Sequence, residues 1–188
     1  DENRRPIKET EEYIPCDTLL LSVGLIPENE LSTKADVDLS PVTSGPLVNE
    51  SLQTNIEGVF ACGNVLHVHD LVDFVTEESI NAGKNAAKYL NGKKFEGNGI
   101  ELVATEGARY TVPKTINPEN IEKLVDVRFR VGDVYKDSYI SVYFDDVREM
   151  HIKKRIIAPG EMETVKLTKA LFDKHPNCKK ITVKVEGE

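Results

Sequence analysis

Strict alternation of apolar and polar residues governs the second half of the chain and restricts it to half-buried β-strands. Val125-Asp126-Val127-Arg128-Phe129-Arg130-Val131 puts four apolar side chains on one face and three charged ones on the other, with Gly132-Asp133 as the following turn. Ile140-Ser141-Val142-Tyr143-Phe144 alternates at first and meets the turn pair Asp145-Asp146, and Ile181-Thr182-Val183-Lys184-Val185 is a third clean case. With weaker candidates near 100–105, 109–112, 148–157 and 163–167, the pattern predicts about seven short strands in an all-β, sandwich-like module. A short helix over Lys169–Lys174, capped by Thr168 and stopped by Pro176, interrupts them.

The first half reads differently. Residues 1–16, with Pro6 and Pro15, form a polar hairpin or loop leading to Asp17-Thr18-Leu19-Leu20-Leu21-Ser22-Val23-Gly24. That largely apolar run suits a strand covered on both faces, as in a parallel sheet flanked by helices. Pro27 to Pro46 lacks periodicity and reads as a loop, and Gly45-Pro46-Leu47-Val48 starts an extended segment. Thr54–Gly58 is a turn, and Val59-Phe60-Ala61-Cys62 is a second buried strand ending at Gly63-Asn64. Three-to-four spacing of Phe74, Ile80, Ala82, Ala86, Ala87 and Leu90 predicts a helix from about Asp73 to Leu90. Asp73 or Thr76 is its expected cap, Glu77 and Glu78 its first-turn acids, and Asn91-Gly92 its stop. Lys93 to Gly99 is a polar linker, which divides the chain into units 1–95 and 96–188.

Charge separates the same two units. Residues 1–95 hold 16 acidic against 8 basic residues, residues 96–188 hold 16 of each, and the whole net charge of −8 lies in the first unit. Neither unit has the clustered Lys and Arg that nucleic acid requires. No apolar run approaches the ~20 residues of a membrane span. Cys16, Cys62 and Cys178 are too few and too scattered for a disulfide framework, and cytoplasmic thiols are the default expectation. His67-x-His69 puts two imidazoles on one face of an extended segment, but no third ligand follows at a metal-site spacing, so no metal is expected. His151 and His175 stand alone in polar contexts and read as surface residues. Tyr135, Tyr139 and Tyr143 suit cross-strand packing or, if exposed, an interface.

The stretch richest in chemistry is Leu52 to Asn64: a turn, a short strand, a glycine that lets a ligand come close, and a helix about ten residues later. It resembles the second flavin-contact motif of the pyridine nucleotide-disulfide oxidoreductase superfamily, Thr…Gly-(Ile/Val)-(Phe/Tyr)-Ala-x-Gly-Asp. Thr54, Gly58, Val59, Phe60, Ala61 and Gly63 match it. Asp17–Asn29 resembles the strand and turn that close the nicotinamide domain of that family, and Glu77–Leu90 its following helix. The resemblance covers about residues 1–92. It implies a Rossmann-like α/β fold, FAD and NAD(P) as cofactors, and cofactor contacts from Gly63, Asn64, Val65, Thr76, Glu77 and Glu78, the last three at the helix start. Asn64 replaces the usual Asp and removes a negative charge beside the phosphates. Asn64 with His67 and His69 also resembles flavin subunits of amino-acid, opine or glycerol-phosphate dehydrogenase systems.

No Gly-x-Gly-x-x-Gly fingerprint occurs in the chain. The resemblance therefore implies that both fingerprints precede Asp1. The chain is then an α/β remnant of a flavoenzyme followed by a β interaction module. Alone it is expected to be inactive, to bind no cofactor and to hold no catalytic acid, base or nucleophile. A homodimer by strand exchange, or a partner dehydrogenase subunit, would cover its open strands. The alternative is a non-catalytic two-domain assembly protein with a vestigial flavin motif.

Overall fold

In a computed structural model, which describes residues 1–3, 5–22, 24–95 and 99–187, the alternating segments pair as two sheets. Strand β4 (Leu124–Val131) lies between β2 (Ala108–Val112) and β7 (Glu163–Thr168), antiparallel to both. β5 (Tyr135–Phe144) and β6 (Val147–Ile157) form a hairpin whose turn puts Asp145 at φ +50°. β8 (Lys180–Glu186) runs antiparallel to β5 and parallel to β1 (Ile100–Thr105), with the two-residue β3 (Thr115–Ile116) at the edge. The second sheet therefore has the order β3-β1-β8-β5-β6.

The apolar faces of the two sheets share one core. Val125, Val127, Phe129 and Val131 of β4 join Leu102, Ile140, Val142, Phe144, Leu167, Ile181 and Val183 in a single cluster. Phe172 of α3 (Lys169–Lys174) packs edge-on against Phe144 with ring centroids 5.5 Å apart. Every expected strand of this half forms, and so does its helix. Two details depart from expectation. The sheet is mixed, because β1 lies parallel to β8, and Thr168 occupies the cap position of α3 without a side-chain cap bond.

The first half forms fewer elements than its apolar runs predict. Around Leu19–Leu21 the chain is extended and exposed, with Leu20 showing 89% of its surface, so the expected buried strand at 17–24 is absent from its described residues. Val23 lies outside them. A parallel strand needs a hydrogen-bonded neighbour and a covering layer, and neither is present beside this segment. Val59–Cys62 likewise forms no strand; Phe60 makes one isolated bridge to Gln53, although Ala61 is buried. Within the expected loop 27–46 a short helix, α1 (Glu30–Lys34), appears instead. The linker 93–99 includes residues 96–98, which lie outside the described residues.

Helix α2 (Val72–Leu90) matches the periodicity and ends at Asn91 and a left-handed Gly92. Its cap residue is Leu71, with no side-chain cap bond, rather than Asp73 or Thr76. Only Glu78 and Ala82 are buried, while Ile80 and Leu90 face outward. A second small cluster, Val48, Leu52, Ala61, Leu66 and Ala82, closes against Val112 of β2 and so joins the two halves of the chain. No described helix is long and apolar enough to cross a membrane.

Phe129→Ala should lower unfolding free energy by about 3–5 kcal/mol, because it empties the centre of the shared core. Ile80→Ala, on the open face of α2, should change it by no more than about 0.5 kcal/mol. Urea unfolding followed by far-ultraviolet circular dichroism compares the two.

Candidate functional site

Residues 62–70 form a tight loop in front of α2. Gly63 has φ +71°, a backbone state that side chains disfavour, and opens a short 3-10 turn through Val65. Leu66 and His67 donate their backbone N–H groups to the Gly63 carbonyl. Asn64 Oδ1 accepts from His69 N–H at 3.0 Å, and Asn29 Nδ2 donates to the Val65 carbonyl at 2.8 Å. A β-carbon at Gly45 would overlap the Leu66 carbonyl, so the neighbouring turn can seat there only with glycine.

The Glu78 carboxylate, 1% exposed, gathers the loop around it. Oε1 accepts from Gly63 N–H at 2.6 Å and from His69 Nε2 at 3.1 Å. Oε2 accepts from His67 Nε2 at 2.9 Å and from Arg128 Nη1 of β4 at 3.3 Å. Arg128 also reaches Glu77 Oε2 at 3.0 Å and lies over the Phe74 ring, 5.4 Å from its centroid. Burial alone would raise the Glu78 pKa, but hydrogen bonds from His67 and His69 outweigh it and hold the carboxyl at about 2. Burial pushes the His67 imidazole below its ordinary 6.5, so it stays neutral and donates an Nε2–H hydrogen bond to the Glu78 carboxylate. Nδ1 of each buried imidazole has no hydrogen-bond partner among the described residues.

His67, His69 and Glu78 can each present one ligand atom within 4.8 Å of the others, the number of protein ligands in a catalytic zinc site. Each carboxylate oxygen already carries two donors, one of them the Arg128 cation. A metal ion would have to displace these bonds and sit beside that positive charge, so the chemistry favours an anion held by donors. A cleft of about 450 Å³ runs between α2 and β4 past Glu78, Asn81, Lys84, Asp126 and Arg128.

The sequence-expected residues separate into two groups. Gly63, Asn64 and Val65 sit together in the turn, Gly63 buried and the other two half-buried. Thr76, Glu77 and Glu78 do not lie at the helix start, which is four residues before Thr76. Thr76 Oγ1 bonds back to the Val72 carbonyl, and both glutamates turn toward β4. Two features suit a flavin: the left-handed Gly63, and an exposed α2 N-terminus with no side-chain cap. Asn64 Oδ1 faces inward to His69, which leaves Nδ2 as its outward donor.

Sequence reasoning missed the third partner of the two histidines because it arrives from a helix, nine residues after His69. It missed Arg128 and Arg130 altogether, although their alternation marked the polar face of β4. His151 and His175 are surface-side residues with structural partners: His151 stacks on Tyr139 and bonds Ser141, and His175 bonds Glu149. Tyr143 donates to Glu186.

Both depressed pKa values give acid sensitivity of the same sign. Stability should fall as pH drops from about 6.5, where the unfolded His67 takes up a proton, and fall further between about 4.5 and 2 as Glu78 protonates. Glu78→Gln should be destabilised at pH 7, by roughly 3–5 kcal/mol, because it leaves the buried Arg128 charge only the exposed Glu77 as counter-ion, and should lose the step below pH 4.5. Thermal midpoints across pH 3–8 test both statements, on the order of one reading per half unit.

Residues 1–89 match the family model described as pyridine nucleotide-disulphide oxidoreductase. Glutamate synthase (NADH) of Schizosaccharomyces pombe is 24% identical over 92 residues, which is 48% of this chain and 4% of that protein's length. No solved structure matches the chain. The matched span contains the Thr54–Gly63 motif, the Glu78-centred loop and all but the last residue of α2, so it is this half of the chain that is similar to the pyridine nucleotide-disulphide oxidoreductase family.

Proposed function

We propose that the chain is the C-terminal part of a FAD- and NAD(P)-dependent oxidoreductase, with residues 96–188 as an appended β module. The observation that carries this reading is the apolar surface left open within the family-matched segment. Leu19, Leu20, Leu21, Leu25 and Ile26 are all largely exposed along an extended chain, and the outer face of α2 exposes Ile80 and Leu90. An α/β domain with its remaining strands and helices in place would cover these surfaces, at about 25 cal/mol for each Å² of apolar area removed from water. The same docking would replace strand exchange between two copies.

In this reading Gly63 lets the diphosphate–ribityl chain approach the backbone, and Asn64 Nδ2 and the turn through Val65 supply polar contacts. The N–H groups at Val72 and Asp73, rather than Thr76 to Glu78, face the electron-rich edge of the flavin. The flavin, when bound, supplies the redox chemistry. The residues of this chain bind and orient it. Nicotinamide binding falls to segments outside these 188 residues, because neither fingerprint is among them.

Purified full-length protein should carry flavin absorbance that bleaches when NADH or NADPH is added without oxygen. A colourless full-length protein that ignores added FAD would show the motif to be a relic. In the flavin-binding protein, Gly63→Val should weaken flavin at least tenfold, because a β-branched residue at φ +71° is strained and points toward Val75. Flavin fluorescence titration measures it.

A further inference from the structure

We propose that the β module holds the flavin loop in shape through two arginines, Arg128 and Arg130, which act as positioning residues rather than cofactor ligands. This rests on the flavin reading given above. The two are spaced i, i+2 on β4, so both leave the sheet on the face opposite the core formed by Val127, Phe129 and Val131. Each grips a different part of the site. Arg128 binds Glu78 and Glu77, and Glu78 in turn holds the Gly63 N–H. Arg130 Nη2 donates to the Val68 carbonyl at 3.0 Å and to Asp70 Oδ1 at 3.3 Å, while its Nη1 is anchored by the Pro159 carbonyl.

Asp70 gives this arrangement a second consequence. It lies one residue before the Leu71 cap position, beside the first turn of α2, where the helix dipole favours negative charge. Here Oδ1 is held by Arg130, and Oδ2 accepts the N–H of Met162 on the segment before β7. Both restraints come from the β module and turn Asp70 away from the helix, which has no side-chain cap. The N–H groups at the start of α2 therefore stay open for an electron-rich ligand. The clamp also explains two charged residues that the β-sheet itself does not need. Arg128 is 5% exposed, and β4 gives it no acidic partner of its own within bonding distance among the described residues; its anions both come from α2.

The test uses the full-length protein and FAD. Arg130→Met should raise the dissociation constant for FAD about tenfold, the effect of losing one charge-assisted hydrogen bond's worth of pre-organisation. Arg130→Lys should recover part of that loss, because it restores the charge facing Asp70. Arg155→Ala, on the exposed β6, should leave binding unchanged. Arg128→Met should act in the same direction as Arg130→Met and also shift the flavin absorption band, since it frees the Gly63 loop. If Arg128→Met does not accumulate as folded protein, the partly exposed Arg130 series decides alone. Wild-type affinity in Arg130→Met, within twofold, would overturn the inference while leaving the flavin reading intact. Failure of the wild-type protein to bind FAD would overturn the flavin reading, and the inference with it.

Discussion

One buried carboxylate organises this molecule. Glu78 sits on a helix where a loop and a sheet meet it, the loop contributing three donors and the sheet one. A buried anion is tolerable only when its oxygens are filled, and four donors fill them here. The consequence is mutual dependence. The loop needs the helix to satisfy Gly63 N–H and two imidazoles, and the helix needs β4 to balance its charge. Removing any one leaves polar groups stranded in a place that water cannot reach.

The β4 strand works in two directions at once. Its apolar side chains fill the core between the two sheets, and its polar side chains face the first half of the chain. Sheet periodicity makes the two roles compatible, since successive residues point to opposite faces. The rigidity of the core is thereby transmitted to the guanidinium groups, whose positions are fixed relative to Val127 and Phe129. A loop held by such groups has less freedom to lose when a ligand binds.

The β module was largely legible. Alternation located β4, β5 and β8 cleanly and the longest strand, β6, only weakly, and Pro176 and Thr168 bounded its helix. The pairing of β1 with β8 was not legible, because it depends on which edges remain free once the hairpins have formed. In the first half, helix α2 was legible from its spacing, with its start within one residue of Asp73, but Thr76, Glu77 and Glu78 lie beyond the first turn in which the resemblance put them. The acidic pair Glu77-Glu78 looked like first-turn charge, whereas its partner is an arginine some fifty residues away. The runs 17–24 and 59–62 show the limit of reading strands from composition. Apolarity indicates a segment that wants cover, and a strand forms only where a neighbour supplies the hydrogen bonds.

The sequence alone determined the periodicity of each half, the acidic character of the first, and the Thr54–Gly63 motif that resembles a flavin-contact motif. These are local properties, set by side-chain order and backbone preference. Only the tertiary structure decided what His67, His69, Glu78, Arg128 and Arg130 are for. Hydrogen bonds between groups so far apart in sequence exist only after two sheets and a helix have fixed their distances, and no spacing along the chain encodes that geometry.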